Sequence, residues 1–206
     1  MIAALILAAA QAAEPAPAEL QSFTPQGFRT RIEVEIAAPR EEVFEAATGD
    51  VTGWWDHSFA LDPAEMVIEP VFGGRFYERL EAGSDDGALH ARVIYVDAPG
   101  VLRLHGPLGL SGRAVDIVTS WTLTEAEDGA ATAFTVDLAM TGEIDAELAG
   151  IVRQVWVHFI EGRLKPYVEA GCHTAPDDPC AAFAVTDRQL RNRFQSPGPQ
   201  GRGFSF

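Results

Sequence analysis

Phe28, Thr30, Ile32, Val34 and Ile36 alternate with Arg29, Arg31, Glu33 and Glu35, the two-residue period of a strand with one wet face. Pro39 ends that run. The stretch Pro39-Arg40-Glu41-Glu42-Val43-Phe44-Glu45-Ala46-Ala47 then reads as a helix start, with proline in the first turn and carboxylates where the helix dipole favours them. A second short helical piece is expected to carry Gly53-Trp54-Trp55. Strand patterns follow over Met66 to Pro70, Gly74 to Leu80, Leu89 to Val96, Val101 to His105, Ala114 to Thr124 and Ala131 to Met140. Turn chemistry separates them, as in Gly83-Ser84-Asp85-Asp86-Gly87 and Glu127-Asp128-Gly129, so consecutive strands on short turns predict an antiparallel meander.

The last element differs in kind. From Asp145 to Glu169 the apolar residues Leu148, Ile151, Val152, Val155, Trp156, Phe159, Ile160, Leu164, Tyr167 and Val168 recur at helical spacing. Such a stripe needs a sheet to lie on. Pro166 is expected to kink its final turn and Gly171 to stop it.

Both ends of the chain read differently from this middle. The run Ile2 to Leu7, followed by small residues at Ala10 and Ala12, fits a cleavable export signal over residues 1–12 and is too short to span a bilayer as a mature helix. It lacks a Lys or Arg n-region, which leaves open a start upstream of Met1 or a plain Ala-rich leader. Residues 13–27 form a Pro/Ala/Glu linker, residues 28–171 a single domain, and residues 172–206 a tail whose end is expected to be poorly ordered unless Phe204 and Phe206 find a groove. Cys172 and Cys180 predict a disulfide, worth about 2–3 kcal/mol for so short a loop in the chain-entropy model. Signal and disulfide together place the mature protein in the periplasm or outside the cell.

The chain has 206 residues, 47% of them hydrophobic, enough for one domain with a sizeable core. Its 30 acidic against 15 basic side chains give a net charge of −15, which argues against nucleic acid and anionic lipid surfaces as partners.

One strand, two short helices, a meander of about six strands and a long terminal helix is the element order of the START-like (SRPBCC) superfamily, the helix-grip fold. Gly53-Trp54-Trp55, Phe72-Gly73-Gly74-Arg75-Phe76, Ala91 to Pro99 and Ser120-Trp121-Thr122-Leu123-Thr124 resemble, in order, segments of the branch named after the activator of the ninety-kilodalton heat-shock ATPase. The resemblance spans roughly Phe28 to Gly171. The leader and the cysteine-bearing tail lie outside the family pattern and point away from a cytosolic co-chaperone. It implies an α+β fold with a curved antiparallel sheet of six to seven strands wrapped on the helix, and an apolar cavity between the two.

Alternation nominates the cavity wall. Leu104 opposes His105, Phe76 shares a face with Glu78, Trp121 lies in line with Thr119 and Leu123, and Trp156 joins Val152 and Phe159 on the helix stripe. Of Trp54 and Trp55, one anchors the short helix and the other covers the cavity mouth. On strand Leu89 to Val96 both faces are apolar; the family motif favours Ile94 and Val96 inward, which carries Arg92 in with them and allows an ion pair with Glu78. The alternative is that both charges sit at a sheet edge in water. The candidate ligand-binding residues are therefore Trp55, Phe76, Glu78, Arg92, Ile94, Leu104, Trp121, Val152, Trp156 and Phe159.

No catalytic set stands out. His57, His90, His105, His158 and His173 have no paired metal-ligand spacing, Asp56-His57 are neighbours whose side chains seldom converge, and Gly109 to Arg113 lacks the last glycine of a nucleophile elbow. Neither metal nor cofactor is expected. The leading expectation is binding or carriage of a hydrophobic small molecule or lipid. A cyclase- or hydrolase-like enzyme using Glu78, Arg92 and His90, and a protein-interaction module, are the alternatives.

Overall fold

A computed structural model describes residues 22–174 and Cys180. The export signal, most of the linker and most of the C-terminal tail lie outside the described residues. The elements run β1 (Gln26–Ile36), α1 (Arg40–Ala47), β2 (Gly49–Asp50), β3 (Glu65–Ile68), β4 (Arg75–Arg79), β5 (Gly87–Asp97), β6 (Val101–His105), β7 (Val115–Ala126), β8 (Ala131–Gly142) and α2 (Ala146–Val157). From α2 the helix passes without a break through a π-helical stretch (His158–Leu164) into α3 (Lys165–Glu169), 24 residues in all.

The eight strands form one antiparallel sheet in the order β1-β8-β7-β6-β5-β4-β3-β2. The chain thus opens at one edge, crosses on α1 to the other, and returns strand by strand until β8 pairs along the whole of β1, from Gln26 against Gly142 to Ile36 against Thr132. This is a helix-grip fold. Its core is the inner face of the sheet, with Ile32 and Ile36 of β1, Ile117, Trp121 and Leu123 of β7, and Phe134, Val136 and Leu138 of β8 all buried against Val152, Trp156, Phe159, Ile160, Leu164 and Val168 of the long helix. The outer face is wet, as the alternation predicts, and carries pairs such as Arg31 with Asp137, joined by two hydrogen bonds of 2.7 and 2.8 Å.

Three details depart from the sequence-based picture. The strands number eight, because β1 and the two-residue β2 both join the meander. The Gly53-Trp54-Trp55 segment is a single turn and not a helix: the Trp54 and Trp55 N–H groups both donate to the Val51 carbonyl, at 3.1 and 2.8 Å. A Cβ on Gly53 would stand 2.5 Å from the Tyr167 ring, so a larger residue here would push that ring aside. The third concerns the long helix, whose irregularity is the π-helical stretch in the turns just before Pro166, where the hydrogen bond that proline cannot donate would fall, and not its final turn.

At the helix end Gly171 adopts φ +70°, its N–H donates to the Val168 carbonyl and the Cys172 N–H to that of Tyr167, which is the Schellman closure of a helix. The closure delivers Cys172 to a buried position bonded to Cys180. Reduction, or the double substitution C172A/C180A, is expected to lower the unfolding free energy by about 2–3 kcal/mol. Urea titrations with and without reductant check this: the wild type should lose that amount on reduction and the double variant should not respond.

Candidate functional site

The loop from 51 to 64, between β2 and β3, crosses the mouth of the sheet and meets the π-helical stretch. Its two tryptophans turn inward. Trp54 is fully buried with its indole N–H on the Ala46 carbonyl at 3.0 Å, and Trp55, hydrogen-bonded to the His57 carbonyl at 2.9 Å, stacks on Phe159 at 4.0 Å. Phe76 and Trp156 close on the Trp55 ring edge at 4.8 and 5.8 Å, and Trp121 reaches both Trp54 and Trp156 at 6.4 Å. These rings occupy the space between sheet and helix that the family resemblance predicts as an apolar cavity. Among the described residues, a concavity of about 400 Å³ lies instead on the outer side of β1, β8 and β7, lined by residues such as Arg29, Asp116, Val118 and Met140. It is shallow and open.

Of the nominated wall, Trp55, Phe76, Glu78, Leu104, Trp121, Val152, Trp156 and Phe159 are buried in the interior. Arg92 and Ile94 are not. Both lie on the exposed side of β5, and Arg92 donates to the Gly73 carbonyl at 3.4 Å. The cause is a pair of bulges. The β4/β5 register jumps so that His90 has no partner between Leu89 and Ala91, and the β5/β6 register jumps so that Ile94 has none between Val93 and Tyr95. Each extra residue reverses the parity of the strand. Val93 is therefore inward, Arg92 outward, and the ion pair Glu78–Arg92 does not form.

The first bulge turns His90 inward instead, next to Glu78. Glu78 and His90 are almost fully buried, and Nε2 of His90 stands 3.6 Å from Oε2 of Glu78, beyond hydrogen-bond distance. Oε1 of Glu78 accepts the Phe59 N–H at 2.9 Å, but neither Oε2 nor His90 Nε2 has a hydrogen-bond partner among the described residues. The His90 ring lies between two phenylalanines, near-parallel to Phe59 at 5.9 Å and tilted on Phe76 at 4.8 Å. Phe59 belongs to the loop and is 37% exposed, so it forms a cover over a polar pair that is otherwise sealed. Thr119 Oγ1 and Trp121 Nε1, also inside, are likewise unpartnered among the described residues.

A second polar group sits where loop and helix meet. The side chain of Asp56, 4% exposed, accepts from or shares a proton with Nδ1 of His57 at 2.8 Å and Nε2 of His158 at 2.7 Å, while Nε of Arg163 stands 3.5 Å away and donates to the Trp54 carbonyl at 3.3 Å. Burial works to raise the Asp56 pKa, but the hydrogen bonds from His158 and His57 outweigh it and hold the carboxyl well below the usual range. Burial lowers the Arg163 guanidinium while Asp56 opposes that shift. Sequence spacing predicts no such convergence. Asp56 and His57 do aim at one place because the Asp56 carboxylate lies between a loop imidazole and one from the helix, 102 residues on. Arg163 was the available signal, a charge falling on the apolar stripe seven residues after Trp156 and four after Phe159, which requires a buried acceptor.

No protein-family model and no curated protein matches this chain. Solved structures do. The Mll3558 protein from Rhizobium loti is 17% identical with a TM-score of 0.50, covering 68% of this chain and 96% of its own. A conserved protein of unknown function from Enterococcus faecalis, EF2215, is 12% identical with a TM-score of 0.50, over 83% of this chain and 88% of its own. DynU16, from the dynemicin biosynthetic locus, is 26% identical with a TM-score of 0.44; the match covers 69% of this chain and 48% of that protein, under half its length. The first two likenesses are likenesses of fold.

Proposed function

We propose that this chain is an exported domain that binds a small, largely apolar ring compound through one hydroxyl-type polar group, inside the helix-grip fold at Glu78 and His90. The observation that carries the reading is the buried, facing pair of unpartnered atoms, Glu78 Oε2 and His90 Nε2, 3.6 Å apart between aromatic rings. Leaving such groups unpaired costs about 1–3 kcal/mol each, a cost that a ligand able to donate to the carboxylate and accept from the imidazole removes. A hydroxyl does both. Phe59 already rests on the His90 face, so a ligand ring can take its place when the chain around Phe59 swings outward.

The packed tryptophans and phenylalanines favour a compact ring compound over the long-chain lipid that an open cavity would accept. The Cys172–Cys180 bond suits an oxidising compartment, and among the described residues no helix is long and apolar enough to cross a membrane. The motifs that resemble the heat-shock-ATPase activator branch contribute Trp54, Trp55, Phe76 and Trp121 to the interior. We therefore read that likeness as a shared aromatic floor and not as a shared protein partner.

Two measurements test the reading. Quenching of the four buried tryptophans by a panel of one- and two-ring aromatic alcohols should saturate, and the matching hydrocarbons should bind at least roughly tenfold more weakly, the factor for one hydrogen bond to a charged group. Glu78→Gln and His90→Phe should each erase that preference. Native mass spectrometry of protein from its own compartment should show a bound small molecule. No saturable binding across the panel together with a ligand-free native spectrum would sink the proposal.

A further inference from the structure

Asp56, His57 and His158 offer one carboxylate and two imidazoles whose ligand atoms all lie within 4.8 Å of one another. We propose that these three residues form a binding site for a first-row divalent transition ion such as Zn²⁺ or Co²⁺. It is separate from the Glu78–His90 pair and does not rest on it.

The donor set decides the class of ion. Two imidazoles and one carboxylate suit borderline ions of the zinc, nickel and cobalt type, whereas calcium and magnesium ask for oxygen ligands throughout. Three protein ligands leave at least one coordination position for water or an added ligand.

The backbone holds the three groups in place before any ion arrives. Trp55 is locked between Phe76, Trp156 and Phe159, so the next residue, Asp56, emerges at a fixed point with its side chain buried. The π-helical stretch begins at His158, and such one-turn irregularities recur at functional sites because they re-aim side chains. Gly162 completes the fit, since a Cβ there would stand 3.3 Å from Nδ1 of His158. The His57 ring is edge-on to Phe159 at 4.9 Å, which fixes its plane.

Access is open on one side only. The His57 and His158 side chains are 43% and 29% exposed, so an ion can enter from solvent, while Asp56 behind them is shielded. Arg163, 3.5 Å from Asp56 Oδ2, plays the outer-shell part. Its charge offsets that of the carboxylate and makes the site weaker than a closed structural zinc site. The net charge of −15 works the other way by drawing cations to the surface. On binding, the protons that Nδ1 of His57 and Nε2 of His158 direct at Asp56 leave those nitrogens, which then bind the ion, and a neutral ring passes by exchange with solvent to the tautomer that carries its proton on the far nitrogen.

The full chain without a histidine tag, stripped with chelator and then titrated with Co²⁺, tests this. The expected result is one ion per chain, with visible d–d absorption of a low-coordinate cobalt site that Zn²⁺ displaces. His57→Ala and His158→Ala should each weaken binding by more than roughly a hundredfold, beyond the ~10–100-fold that loss of an outer-shell partner costs. His105→Ala removes an exposed histidine paired with Asp116 on the outer face and should change nothing. His57 is on an exposed loop, so its variant keeps the fold even where His158→Ala does not, which circular dichroism will report. The absence of saturable binding overturns the assignment, as does binding that survives His57→Ala or vanishes with His105→Ala.

Discussion

Trp54→Ala is expected to cost about 3–5 kcal/mol of stability, the usual range for removing a buried tryptophan, and to lower the Tm by roughly 6–20 °C for a domain of this size. The side chain is fully buried. It is edge-on to Trp55 at 5.4 Å and 6.4 Å from Trp121, and its N–H satisfies the last turn of α1 through the Ala46 carbonyl. Removing the ring opens a void that its neighbours cannot fill, because Trp55 is held by Phe159 and Trp121 is edge-on to Phe134 at 5.8 Å. It also leaves the Ala46 carbonyl unpaired. Trp54→Phe should recover most of the packing and retain only a deficit of about 1–3 kcal/mol for the lost hydrogen bond. Urea unfolding followed by far-ultraviolet circular dichroism measures all three proteins, with Phe72→Ala as the surface control. Phe72 is 81% exposed, and its removal should stay within about 0.5 kcal/mol. A Trp54→Ala loss no larger than that of the control would mean the aromatic floor is not load-sharing in the way the ring contacts imply.

How far such features can be read without coordinates depends on whether local pattern and tertiary position agree. They agree on β1, β7 and β8, where clean alternation places Ile32, Trp121 and Phe134 inward, and on the long helix, where Val152, Trp156 and Phe159 follow the stripe. They disagree on β5. Its bulges at His90 and Ile94 leave no mark in composition, yet they bring His90 in and put Arg92 and Ile94 out. Parity reasoning presumes one residue per rung, so it places Glu78 inward on β4 and fails on β5, the next strand. The tryptophan turn misleads for another reason: the Trp54 and Trp55 N–H groups both close on the Val51 carbonyl, so the short helix expected there amounts to one turn. As for Asp56 with His158, no local rule joins residues 102 apart.

Asp56→Ala is expected to destabilise the chain by about 3 kcal/mol at neutral pH, the low end of the cost of removing one partner from a buried ionic group. The low end applies because both imidazoles reach solvent, which can replace part of what they lose. The groups facing Asp56 are His57 on its own loop and His158 and Arg163 on the helix, and the substitution deprives all three of the same acceptor. The deficit should depend on pH with a definite sign. In the folded protein the hydrogen bonds from His158 and His57 hold the Asp56 pKa below its ordinary value of 3.8, against the effect of burial. A carboxyl depressed by folding contributes stability that is fully present above its unfolded pKa and lost as pH falls through the folded one. The wild type should therefore lose its advantage over Asp56→Ala progressively once the pH drops below the ordinary carboxylate range. Glu69 and Asp137, which Arg75 and Arg31 hold below their ordinary values, bend both curves alike and cancel in the difference. Denaturant titrations of the two proteins at several pH values, with chelator present so that no ion bridges the imidazoles, yield that difference directly. A gap that stays constant into acid, or widens, would show that the carboxylate is not held in its charged form by the two histidines.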